Sequence, residues 1–223
     1  MYLMGGKIMN NEIKLKNIQI VLFFKNEIDY NALELANNIS KKLPQLGQPN
    51  IFNLPNDIPN EIRVQTPKIL FSNAKELNAT ISILNASLNI IGESTSTEIK
   101  NFIDLLYDAL ISQNIQIKSI GLVSEYVCFD VDFDVIKNKY YKDELVNSEL
   151  VNSSWFNKEE NLNVWKLLNV QEENNKKILN ITCDINNRGN EETIDKENIN
   201  EIIERAKNIS ENFKEKIKEE LGE

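Results

Sequence analysis

Three aspartates occupy every second position in Phe129-Asp-Val-Asp-Phe-Asp-Val. On a strand this spacing puts Asp130, Asp132 and Asp134 on one face and Val131 and Phe133 on the other. Carboxylates about 7 Å apart along a strand could hold a hard cation such as Mg²⁺ or Ca²⁺ with help from a second segment. Metal-dependent hydrolysis, with Lys137 or Lys139 alongside, is the enzymatic chemistry this would allow. An EF-hand loop is excluded, because Val135 and Tyr141 stand where glycine and glutamate are required. Without a cation, the same row is either a solvated strand face or an acidic stripe that meets Lys and Arg of a partner. The stripe is the reading adopted: Asp130, Asp132 and Asp134 are expected to bind a partner, and no catalytic residue, metal ligand or cofactor is assigned. Trp155, Phe156 and Trp165 flank an acidic, Asn-rich segment. Trp155 and Phe156 join the expected partner-binding set as interface aromatics, the alternative being that they close the core.

Other chemistry is narrowed by what the 223 residues lack. There is no histidine, which removes Ser-His-Asp and Cys-His catalysis, imidazole-bound zinc and histidine pH switching. Cys128 and Cys183 are the two cysteines, far apart and outside any C-x-x-C pair; reduced, buried and structural is the expectation. The seven glycines form neither a Walker loop nor a G-x-G-x-x-G turn. The chain is read as non-enzymatic.

The net charge is −9 and unevenly placed. Residues 1–26 are slightly basic, whereas 125–160 and 191–223 each carry five more acids than bases. Such a balance opposes direct binding to a phosphate backbone and favours a basic protein, or a nucleoprotein complex, as partner; solubility alone is the plainer account. Self-association is the other partner considered. No run of about 18 apolar residues would cross a membrane, and the N-terminus lacks the regions of a signal peptide, so a cytoplasmic protein without a membrane partner is expected. Met9 opens a more natural segment than Met1, so residues 1–12 read as a disordered or mis-started lead.

The elements that must position these residues follow from periodicity. Ile13–Lys25 reads as a central strand, apolar on both faces. Asp29 offers an N-cap for a helix over 30–43, ended by Pro44. All five prolines fall in 44–67, which predicts an extended belt. Lys68–Asn73 and Leu77–Ile91 read as two strands. Thr95-Ser-Thr-Glu has capping-box spacing before a helix ending near Gln113. Ile115–Asp134 reads as a long strand with a bulge at Gly121, 135–161 as a polar loop with one short helix, and 165–171 and 178–186 as a hairpin around a polar turn over 172–177. Asp195 caps a final helix, apolar on one side and charged on the other. The sum is an α+β fold: a largely antiparallel sheet with about three helices packed on one face, formed by a single domain over 13–223 that would divide, if at all, near 140–160.

Leu54-Pro-Asn-Asp-Ile-Pro-Asn-Glu-Ile, Pro67-Lys-Ile-Leu-Phe-Ser and Ile181-Thr-Cys-Asp-Ile-Asn-Asn-Arg ahead of a long helix loosely resemble uncharacterised proteins of phages and prophages from AT-rich bacteria. The chain departs from that pattern in carrying Arg63-Val-Gln-Thr before Pro67. The resemblance implies a mobile-element origin and no known enzymatic residue. It leads to the expectation of an anti-CRISPR-like inhibitor that occupies a host defence complex through its acidic surface. A self-associating prophage module and an Asp-dependent metal hydrolase are the alternatives.

Overall fold

The structure is a computed structural model that describes residues 12–53, 55, 57–72, 76–92, 96–129, 131, 135–136, 140, 151–159, 161–173, 176–189 and 192–221. Its centre is the strand legible at the start of the chain. β1 (Lys14–Phe24) alternates between a buried row, Ile18, Ile20, Leu22 and Phe24, and a half-buried row, Gln19, Val21 and Phe23. Burial of one row against helices, with the other left to water, is the pattern of an antiparallel sheet covered on one side.

Eight further strands build on β1: β2 (Pro49–Ile51), β3 (Ile69–Phe71), β4 (Leu77–Ile81), β5 (Asn85–Ile91), β6 (Ile117–Phe129), β7 (Val151–Glu159), β8 (Leu162–Glu173) and β9 (Lys176–Asn186). They form one sheet in the order β2-β3-β4-β5-β1-β6-β9-β8-β7, with every neighbouring pair antiparallel. The α+β class with a large antiparallel sheet is as the sequence predicts. Among the described residues the main helices are α1 (Ala32–Lys42), the short α2 (Asn60–Gln65), α3 (Ser96–Ile111) and α4 (Lys196–Glu220).

α1, α3 and α4 lie on the same face and are stitched to one another. Asn38 Nδ2 on α1 donates to Ser112 Oγ, just past the end of α3, at 2.6 Å. Asn200 Nδ2 on α4 donates to Asp104 Oδ1 on α3 at 2.9 Å, and Lys196 Nζ lies 2.7 Å from Asp108. Between this layer and the sheet run Leu35, Ile39, Ile103, Leu110, Ile199, Ile203 and Ile217, packed on the buried rows of β1, β5, β6 and β9.

The topology repeats although the sequence shows no repeat. β1 is followed, after intervening elements, by the meander β3-β4-β5, whose last strand returns beside β1, and then by a helix, α3. β6 is followed by the meander β7-β8-β9, whose last strand returns beside β6, and then by α4. The two halves join where β1 meets β6. The first half extends one strand further, through β2.

Several local expectations are corrected. The first helix begins two residues later than predicted and is capped by Asn31, whose Oδ1 accepts from Glu34 N–H at 3.1 Å; Asp29 instead pairs with Lys68 at 2.6 Å. The proline segment is not an extended belt. It contains a 3-10 turn at Pro44–Leu46, strand β2 and helix α2, and Pro59 fits the helix start because its missing N–H lies where no helical bond is made. Leu77–Ile91 is a hairpin and not one strand: Ser82 Oγ accepts from the N–H groups of Leu84 and Asn85 at 3.1 Å each and turns the chain without glycine or proline. Gly121 lies in regular ladder opposite Val21 and Asn186, and the β1–β6 register shifts fall elsewhere, at Leu15/Asn17 and Phe23/Phe24. Residues 151–159, expected in a loop, form β7, and β8 runs to Glu173, which shortens the predicted polar turn. Thr95 of the capping box and residues 1–11 of the expected lead lie outside the described residues.

Candidate functional site

Trp155 and Phe156 are neighbours on β7, so their side chains leave opposite faces of the sheet. Trp155 points to the helices. Its ring meets Tyr140 edge-on at 5.3 Å and Phe213 of α4 at 6.3 Å. Phe156 points to the open face and packs on its cross-strand partner Trp165, ring centres 4.6 Å apart. Phe156 and Trp165 are each 48% exposed, against 36% for Trp155. The structure therefore separates the pair singled out in the sequence and joins Phe156 to Trp165. Asp130, Asp132 and Asp134 follow directly on β6 and lie outside the described residues.

Beside Trp155 a cleft of about 530 Å³ opens between the end of the sheet and α4. Its sheet side carries Trp155, Glu159 and Lys166, and its helix side Ile209, Phe213 and Lys216. Lys166 Nζ lies 3.2 Å from Glu159 Oε1 and 5.4 Å from the Phe213 ring centre. Burial acts to raise the Glu159 carboxyl, but hydrogen bonds from Asn157 and Lys166 outweigh it and hold the group below its usual value. The cleft is thus an aromatic wall with an internally neutralised ion pair, suited to an apolar side chain more than to acid–base work.

On the open face, polar side chains continue from Trp165. Asn163 Nδ2 donates to Asn186 Oδ1 and to Arg188 O, and Asn186 Nδ2 donates to Asp184 Oδ1. Arg188, in the turn that follows β9, holds its guanidinium 4.2 Å from the Phe23 ring centre, a cation–π contact.

The acidic surface is concentrated on α4. Ile199, Ile203, Ala206, Ser210, Phe213 and Ile217 are buried, and the opposite side carries Glu197, Glu201, Glu204, Glu215 and Glu219, all exposed. At 100° per residue these five fall on one line, with Asn208 and Asn212 filling its middle, over about 33 Å. Lys216 is the one exposed base on this helix; Arg205 and the other lysines are half-buried. The charged side was legible in the sequence, but its sorting into a glutamate row flanked by half-buried lysines was not, since it depends on how α4 is rotated on the sheet.

No protein-family model matches the chain, and no curated protein matches its sequence. Among the described residues no three His, Cys, Asp or Glu side chains are grouped to hold a metal ion, and no described helix is long and apolar enough to cross a membrane.

Proposed function

We propose that this chain is a non-enzymatic, protein-binding inhibitor from a phage or other mobile element. It acts in the host cytoplasm by laying an acidic surface against the basic, nucleic-acid-holding surface of a defence complex, in the manner of an anti-CRISPR protein. The observation that supports this reading is the glutamate row of α4. Five carboxylates on a rigid helix meet Lys and Arg of a partner without reordering, and like charge along the row keeps away phosphate backbones and other acidic surfaces. Asp130, Asp132 and Asp134 would add to the same acidic surface, and Phe156 with Trp165 would supply the apolar anchor that charge alone does not give.

The test is a tagged pull-down from lysate of a host carrying such a complex, with and without nuclease, using the wild type and the triple reversal Glu197→Lys, Glu201→Lys, Glu204→Lys. Recovery of a nucleic-acid-guided complex that survives nuclease, and that the reversal abolishes, supports the reading. Recovery of the bait alone, or of the same complex with the reversed helix, overturns it.

A further inference from the structure

The two ends of the sheet are unlike. At one end β2 is three residues long, begins at Pro49 and sits between the other prolines of 44–67; a short, proline-bearing edge is a poor template for another strand. At the other end β7 runs for nine residues with no proline, and its outer backbone groups meet no strand among the described residues. In the internal repeat β7 corresponds to β3, and β3 is covered by β2, whereas no strand among the described residues covers β7.

We infer that β7 is a self-pairing edge: two copies of this chain join β7 to β7 antiparallel, about a two-fold axis normal to the sheet. The backbone demands a strand, and two features make a second copy the fitting one. A molecule of charge −9 repels itself over most of its surface, but β7 carries one lysine and one glutamate, Lys158 and Glu159, which cancel. Pairing of like edges also uses up the open end of each sheet and leaves β2 at both outer ends, so the assembly closes at two copies and does not grow into a fibre. Across the junction Phe156 and Trp165 of each copy extend one aromatic row on the open face, and Trp155 flanks it on the helix side.

Same-face residues oppose one another in every register that keeps the two open faces continuous. Ser154→Lys with Phe156→Lys therefore sets like charges across the junction in the registers centred on residues 154, 155 and 156, which pair the most of β7. Sedimentation equilibrium at about 100 µM chain, a concentration that reports even weak dimers, should give twice the 25.7 kDa chain mass for the wild type. It should give a single chain mass for the double lysine variant, and twice that mass again for a matched pair on the other edge, Asn50→Lys with Phe52→Lys. Near-UV and far-UV circular dichroism of each variant checks that it is folded. Amide exchange along β7 should slow as the wild type is concentrated. A wild type of single mass, which would leave the edge to a strand from another protein or from elsewhere in this chain, overturns the inference; so does a dimer that the folded β7 lysines leave intact, or a mass that climbs past two copies.

Discussion

The hydroxyls of Tyr126 on β6 and Ser210 on α4 meet at 3.0 Å in the core, and the tyrosine also donates to Glu211 Oε1 at 3.0 Å. Lys214 stands over the ring, 5.8 Å from its centre, and pairs with Glu211. This is a polar bolt in a mostly apolar layer, and burial pushes the tyrosine hydroxyl well above its usual range.

Removing the bolt should cost stability without changing the fold. Tyr126→Phe removes the tyrosine partner of the fully buried Ser210 hydroxyl, which keeps the Cys183 thiol as another, and should lower the unfolding free energy by about 0.5–1.5 kcal/mol in urea titration. Ser210→Ala in the Tyr126→Phe background should add little, because the groups act as one unit and the cycle is non-additive. Equal, additive losses would show that the two hydroxyls are independent.

Gly121→Ala should be nearly silent. A Cβ at this position would lie 3.5 Å from Asn186 Cβ and 3.7 Å from the Phe23 ring, ordinary contacts, and the backbone there is regular strand. The expected change in melting free energy is within about 0.5 kcal/mol, since alanine also relieves the entropic cost of a strand glycine. A loss above about 1 kcal/mol is what a left-handed bulge at this position would give, so thermal unfolding of this one variant tests the corrected register.

Both thiols should be silent in the native protein. Cys128 and Cys183 are buried and unbridged, and burial pushes the Cys183 thiol up to about 11. At pH 8 only about a thousandth of Cys183 would be thiolate. Reaction with a disulfide reagent should therefore follow global unfolding, releasing both thiols together in denaturant and neither without it. Rapid native labelling of one cysteine would contradict this burial.

The Asp29–Lys68 pair makes an acid-side prediction. The hydrogen bond and charge of Lys68 hold the Asp29 carboxyl below its usual value. A group depressed in the folded state stabilises above its unfolded pKa, and that contribution is lost as pH falls through the folded one. Asp29 is almost fully exposed, so the effect is small, at most about 1 kcal/mol. Wild type and Asp29→Asn should differ at pH 7 and converge as pH falls through the depressed value of the Asp29 carboxyl; a gap that widens on acidification would reverse the sign.

How far the sequence revealed these features depended on whether the signal was local. α4 was legible because Asp195 caps it, its Oδ1 accepting from Asn198 N–H at 2.8 Å, and because apolar residues recur at helical spacing from Ile199 to Ile217. β1 was legible because it is apolar on both faces. β7 was not, since Asn152, Ser153, Ser154, Asn157 and Lys158 carry neither β-branching nor alternation; only pairing to β8 makes the segment a strand. The β4–β5 turn escaped for a related reason, its chemistry residing in the side chain of Ser82 and not in a glycine or proline. For the candidate site, the aromatic residues were visible as types, but the face each one takes was settled by β7 being a strand at all.

β1 precedes the other described elements and ends in the middle of the sheet, which has a consequence for how the protein is made. Asn17 bonds to Asn89, 72 positions away, and Ile20 sits opposite Leu122, about a hundred residues downstream, a pattern of distant contacts that slows folding. At about 5–20 residues per second of synthesis, β1 waits roughly 5–20 s after leaving the ribosome before β6 exists to pair with it. β5 is made earlier and can cover one edge, but the edge that β6 takes stays bare through that interval, open to pairing with another chain.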